Sequence, residues 1–212
     1  MSLSISQIDE YMKALVTNAK DLLRESELLF RKKAYARSYT LAHIAREEVA
    51  KCHILYAAGR RQLAGIDVDW KVTMRRLRDH KSKLKQEIVS NGTSSLLFGG
   101  SKQVFEDSMH FAQRSSEQRN DYKNNSLYVG LSSDGEITQP NKVIDKDRAQ
   151  KNIELARFAI NSEVKLQNKI GSLKNIDRSI MPDISFVDSM AKEQPSELLK
   201  QLADIFDKYN EK

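Results

Sequence analysis

The chain has 212 residues, 40% hydrophobic and 30% charged, and its 35 Lys and Arg against 29 Asp and Glu leave a formal net charge of +6. That length buries a core without disulfide or metal staples, the composition excludes simple disorder, and eight Gly and three Pro exclude collagen-like and proline-rich architectures. A single cysteine, Cys52, excludes an intrachain disulfide. The opening MSLSISQIDEYMKAL lacks a basic stretch followed by an apolar one, and charge breaks every apolar run well short of a membrane span, so a cytoplasmic protein without a membrane partner is expected.

Helical periodicity dominates. A first helix is expected over about residues 4–31, with Ile8, Tyr11, Leu15, Leu22 and Leu29 near one face, and a second over about 34–58, stopping before Gly59. A third covers about 70–89 and leads into the loop-like NGTSSLLFGGS at 91–101. The fourth starts after it and runs to about 122. Residues 126–140 break the pattern, because β-forming residues flank an Asp134-Gly135 turn signal before Pro140, and a small hairpin is expected there. A fifth helix, capped by Asp145, runs to about 170 with Ala149, Ile153, Ala156, Ile160 and Val164 as its stripe. A polar connector around Pro182 leads to a last helix over about 196–209.

The expected fold is therefore mainly α: an antiparallel bundle of four to five long helices, with a small β-hairpin after the fourth and a C-terminal helix. The bundle would occupy residues 1–180 and the linker with the last helix 181–212. Helices two to five would form its core, and the first would pack alongside.

Three apolar stripes are each interrupted once by a polar residue. The second helix carries Leu41, Ala45, Glu48, Cys52 and Leu55 at spacings of three and four, the third Met74, Leu77, His80, Leu84 and Ile88, and the fourth Phe105, Met109, Ala112, Ser116, Arg119 and Tyr122. Burying an acid, an imidazole and a guanidinium singly costs several kcal/mol each, so the three are expected to meet one another or a ligand. His80 then suits acid/base work, Arg119 a phosphate or oxyanion, and Glu48 the orientation of either. The alternative is a hydrogen-bonded network that only sets helix register. Glu47 and Lys51, four apart on the next face one turn after His43, read as a solvated or interface ion pair.

The positive charge concentrates between Trp70 and Glu87, where Lys71, Arg75, Arg76, Arg78, Lys81, Lys83 and Lys85 face only Asp79 and Glu87. Such a helix is either a surface for RNA or another acidic partner, or a solvated face paired with acidic neighbours. A carboxylate-bridged di-iron bundle needs two Glu-x-x-His pairs, whereas the chain offers only Asp107-x-x-His110. Phosphate-loop, dinucleotide, zinc and nucleophile-elbow patterns are missing, so neither a metal nor a cofactor is expected.

The stretch YTLAHIAREEVAKCHILY with its central Glu-Glu-x-x-Lys, the element DHKSKL at 79–84, and an arginine followed by LYVGLSSDGEITQP resemble, in order, the AbiV family of abortive infection proteins. The resemblance covers roughly residues 10–170. It implies defence against phage and kinship with the HEPN superfamily of helical bundles, often homodimers and in many cases metal-independent ribonucleases. By position it implies Glu48 as the acid of the second helix, His80 as the histidine of the third and Arg119 as the arginine before the hairpin, with Glu47, Lys51 and Tyr128 in support.

One departure bears on the chemistry. The HEPN nuclease pattern of Arg, four to six residues, then His fails after Arg119, where Asn124, Asn125 and Ser126 stand. Arg75 and His80 meet the count, but five residues turn a helix through about 500° and separate the two side chains. Two functions remain open. One is an effector that acts on RNA or translation through His80, Arg119 and Glu48. The other is a non-catalytic protein that engages RNA, a ribosomal component or an acidic phage protein, the last a trigger, through Arg75, Arg76, Arg78, Lys81 and Lys83.

Overall fold

The computed structural model describes residues 2–80, 82–83, 86, 121–131 and 134–176. Most of the expected fourth helix, with Arg119, and the C-terminal helix lie outside these residues, as do Lys81, Leu84, Ile88 and the domain boundary near 180.

Helix α1 spans Ile5–Arg31 and starts at a capping box, in which the Ser4 hydroxyl accepts from the Gln7 amide while the Gln7 side chain accepts from the Ser4 amide. The chain reverses through residues 32–34, with Lys33 at φ 61°, into α2, Tyr35–Leu63. Buried Ser26 and Ser38 lock this hairpin, each hydroxyl donating to the other's carbonyl at 2.7 and 2.9 Å. Contrary to the sequence expectation, α2 does not stop at Gly59. A Cβ there would lie 2.5 Å from Cδ1 of Leu173 and 3.5 Å from Cδ1 of Ile8, so this glycine admits close packing inside a continuing helix.

Helix α3 covers Trp70–Arg78, capped by Asp69, whose carboxylate accepts from the Val72 amide at 2.9 Å. The single helix expected to residue 89 is broken at Asp79, which is extended (φ −75°, ψ 118°). Its carboxylate accepts from the Ser82 amide at 2.7 Å, so an aspartate inside a helical pattern caps a new turn instead of continuing the old one. Residues 121–127 are helical and lead into a hairpin of β1, Gly130–Leu131, and β2, Ile137–Thr138, paired antiparallel with Gly130 opposite Thr138. The turn uses Gly135 at φ 83°. A short α4, Pro140–Val143, precedes α5, Lys146–Ile170, which is capped by Asp145 and ends at Gly171 with φ 77°. A 3-10 turn, Leu173–Asn175, closes the described chain, its amides at Leu173 and Lys174 bound by the buried Asp9 carboxylate at 2.9 and 3.1 Å.

The protein is mainly helical with a small hairpin, as its periodicity implies. The expected subordinate role of α1 is not what the structure shows. Ile8, Met12, Leu15 and Val16 of α1 pack against Cys52, Ile54 and Leu55 of α2 in one core cluster, with Leu173. Ala19 joins Ala42, Ala45, Val49, Ile153, Ala156, Ala159 and Ile160 in a second. Tyr11, assigned to the inner stripe, is 38% exposed; Met12 takes its place. Alanines of α2 and α5, Ala42, Ala45, Ala156 and Ala159, line the seam between these helices. These two run parallel, linked by Arg46 and Asn152 near one end and by His53 and Glu163 further along, while α1 lies antiparallel to both.

Candidate functional site: a buried carboxylate between two histidines and two lysines

The site gathers on the face of α2 that α1 does not cover. Glu47 is 4% exposed, and its carboxylate collects groups from three segments. His80 places Nδ1 2.9 Å from Oε1 and 2.8 Å from Oε2. Lys83 brings Nζ to 2.7 Å of Oε2, Lys123 to 3.6 Å of Oε1, and His43, one turn earlier on α2, sets Nε2 3.4 Å from Oε1.

Local structure explains each approach. The break at Asp79 turns the chain so that His80 and Lys83 face back onto α2. The helical residues 121–127 are docked by Thr40 to Ser126 at 2.7 Å and by the Arg37 guanidinium donating to the Leu127 carbonyl at 2.8 Å, and this seats Lys123. Tyr39 lies against the His43 ring, centroids 6.1 Å apart. Nearby, buried Arg46 binds Asn152, whose amide donates to the Tyr39 carbonyl at 2.8 Å.

Burial by itself would raise the Glu47 carboxyl pKa. The adjacent His43 imidazole and the Lys83 ammonium overcome it and hold the group well below the usual carboxylate range. Glu47 is therefore an anion that accepts from His80 Nδ1, and the neutral His80 ring then carries its lone pair on Nε2. The His80 side chain is 51% exposed, so this imidazole sits at the mouth of the site with the buried Glu47 carboxylate behind it. Among the described residues no group of three or more His, Cys, Asp and Glu is arranged to hold a metal ion, and two ammonium groups flank the Glu47 carboxylate.

The predicted residues divide accordingly. Glu48 does not orient His80: it binds Lys51 at 2.5 Å and accepts from Asn18 of α1 at 3.2 Å. The expected Glu47–Lys51 pair is replaced by Glu48–Lys51, because adjacent helical positions diverge by about 100° and α1 covers the Glu48 side. Glu47, read as half of a solvated or interface ion pair, is the centre of the cluster. Lys83 spends its charge on that carboxylate at 5% side-chain exposure and offers no free surface to RNA. Arg75, Arg76 and Arg78 are exposed on α3, Arg76 donating to Gln86 at 3.1 Å. Tyr128 is 64% exposed, beside exposed Val129, Leu131 and Ile137. Whether Arg119 joins the site lies outside the described residues. His43 and Lys123 were missed; the i, i+4 spacing of His43 and Glu47 was the signal for the first.

Burial pushes the Cys52 thiol up, reinforced by the Glu163 and Glu48 carboxylates, so it is a small protonated core residue.

Family likeness places this helical protein in the HEPN-like class. Within that class, the chain matches the family model HEPN_AbiV, described as AbiV, over residues 7–160, and it belongs to that family. Membership suggests abortive infection, a form of phage defence. No curated protein and no solved structure matches the chain. No helix among the described residues is long and apolar enough to cross a membrane.

Proposed function

We propose that this protein is a cytoplasmic antiphage effector that blocks phage multiplication by cutting RNA, with His80 as the acid/base group. The observation that carries this reading is a half-exposed imidazole held through Nδ1 by a buried anionic carboxylate, the arrangement that tunes a histidine for proton transfer. Glu47 takes the orienting role first given to Glu48. Arg119, four positions before Lys123 in the sequence, holds the scissile phosphate. His80 Nε2 takes the proton of a ribose 2′-hydroxyl, whose oxygen attacks the adjacent phosphorus; the 5′-oxygen leaves and takes up a proton. The products are a 2′,3′-cyclic phosphate and a 5′-hydroxyl. The active form is a homodimer, as is frequent among HEPN domains.

The test is RNA cleavage by purified protein, alone and with infected-cell extract, beside His80→Ala and Arg119→Ala, with sedimentation to give the oligomeric state. Undiminished antiphage protection by both folded variants rules the site out.

A second reading rests on three arginines, Arg75, Arg76 and Arg78, exposed on one short helix. A non-catalytic protein that binds RNA, a ribosomal component or an acidic phage protein through them would lose its effect on charge reversal of the three and keep it in His80→Ala. Steep loss of binding with salt marks RNA as the partner.

A further inference from the structure

Glu47 faces two imidazoles of opposite character. His80 is half exposed, whereas His43 is 1% exposed and lies against the Tyr39 ring with the planes 28° apart. Nε2 of His43 is 3.4 Å from Oε1 of Glu47, and Nδ1 of His80 is 2.9 Å from Oε1 and 2.8 Å from Oε2. The other charged groups on this carboxylate are Lys83, from the turn after Asp79, and Lys123, from residues 121–127.

The terminal torsion of a carboxylate is broad, so its orientation depends on how stiffly its neighbours are held. Of the groups on Oε1, Lys123 stands on a flexible stem and His80 is half exposed, whereas His43 is buried against Tyr39. Lysine ammonium groups supply charge on flexible stems, and an imidazole packed on an aromatic ring supplies a fixed direction.

We propose that His43 is a positioning residue for the acid/base chemistry assigned to His80. It holds Oε1 of Glu47 so that the carboxylate meets His80 Nδ1, which fixes the neutral His80 ring as its Nδ1–H tautomer and leaves Nε2 to exchange the proton with substrate. His43 touches no substrate. The inference rests on the reading of His80 as the acid/base group, but its geometric core can be measured without RNA.

The experiment is nitrogen-15 multiple-bond spectroscopy of the four histidines in the full chain. In the wild type, His80 is expected as the Nδ1–H tautomer, the reverse of the form favoured by free histidine. His43→Gln, whose amide nitrogen can stand where Nε2 stood, is expected to retain that tautomer and antiphage protection. His43→Leu is expected to move His80 toward the Nε2–H form and to lower RNA cleavage ~10-fold or more, the scale of losing an outer-shell orienting partner.

An Nε2–H His80 in the wild type overturns the proposal, and that spectrum needs no variant to fold. So does an unchanged His80 tautomer in folded His43→Leu. Should His43→Leu fail to fold, His43→Asn, whose shorter amide cannot reach Oε1, replaces it with the same expectations. A protein that passes the tautomer test but cuts no RNA overturns the ribonuclease reading and leaves the positioning of His80 by Glu47 and His43 standing.

Discussion

The imidazole of His80 donates from Nδ1 to the carboxylate of Glu47 across 33 positions of sequence, at 2.8 Å, and the neighbouring Glu48 turns away to Lys51 and Asn18. Two adjacent acids on one helix thus serve different walls of the protein, Glu48 the seam with α1 and Glu47 the cluster with His80. This division separates a carboxylate in the helix seam from one in the candidate site.

Glu47→Gln is expected to abolish antiphage protection and to cost about 3 kcal/mol of stability, because it leaves Lys83 buried without a counter-ion. Glu48→Gln removes a partly buried pair next to solvent and is expected to cost less than about 1 kcal/mol, with protection retained. Denaturant melts and phage plating of the two variants check the contrast. Equal loss of protection would return Glu48 to the site.

The Glu47 carboxyl also predicts a pH dependence. A group held below its ordinary value of 4.5 contributes stability that is fully present above that value and is lost as pH falls below it. The stability gap between the wild type and Glu47→Gln is therefore expected to be constant from pH 7 to about 5 and to narrow below 4.5. Urea midpoints across that range measure it, and a gap that widens with acid contradicts the assignment.

Lys33, at φ 61° between α1 and α2, holds a backbone conformation that favours glycine. Lys33→Gly is expected to raise stability by about 0.5–1 kcal/mol, the relief of left-handed strain exceeding the added freedom of the unfolded chain. Thermal unfolding decides the sign.

Cys52 is expected to resist thiol reagents in the folded protein, since it is fully buried and its pKa is pushed up. Labelling with a chromogenic disulfide is expected to proceed only on unfolding. Rapid reaction in native buffer would place Cys52 at an accessible surface instead.

Much of the fold was legible in local patterning. Ser4 and Gln7 mark the start of α1, Asp145 and Gly171 bound α5, and the Asp134-Gly135 signal sits in the turn of the hairpin. These are interactions over a few residues, which sequence states directly. Gly59 misled because glycine reads as a stop, whereas here it is a place of contact with Leu173, more than a hundred positions away. Asp79 misled in the other direction: it sits in a helical pattern but its carboxylate caps the next turn.

The sequence by itself determined a mainly helical protein with an AbiV pattern and a hairpin after the fourth helix, and it singled out His80. It could not decide which acid His80 would meet. Glu47 and Glu48 have the same chemistry and neighbouring positions, and periodicity ranks them only by the face each shares with other apolar residues. That face proved to be the one against α1. Tertiary packing made the choice: α1 closed over Glu48, the break at Asp79 brought His80 and Lys83 back to α2, and Lys123 arrived on residues 121–127. A buried charge must find its partners, and those partners came from segments that only the fold brings together.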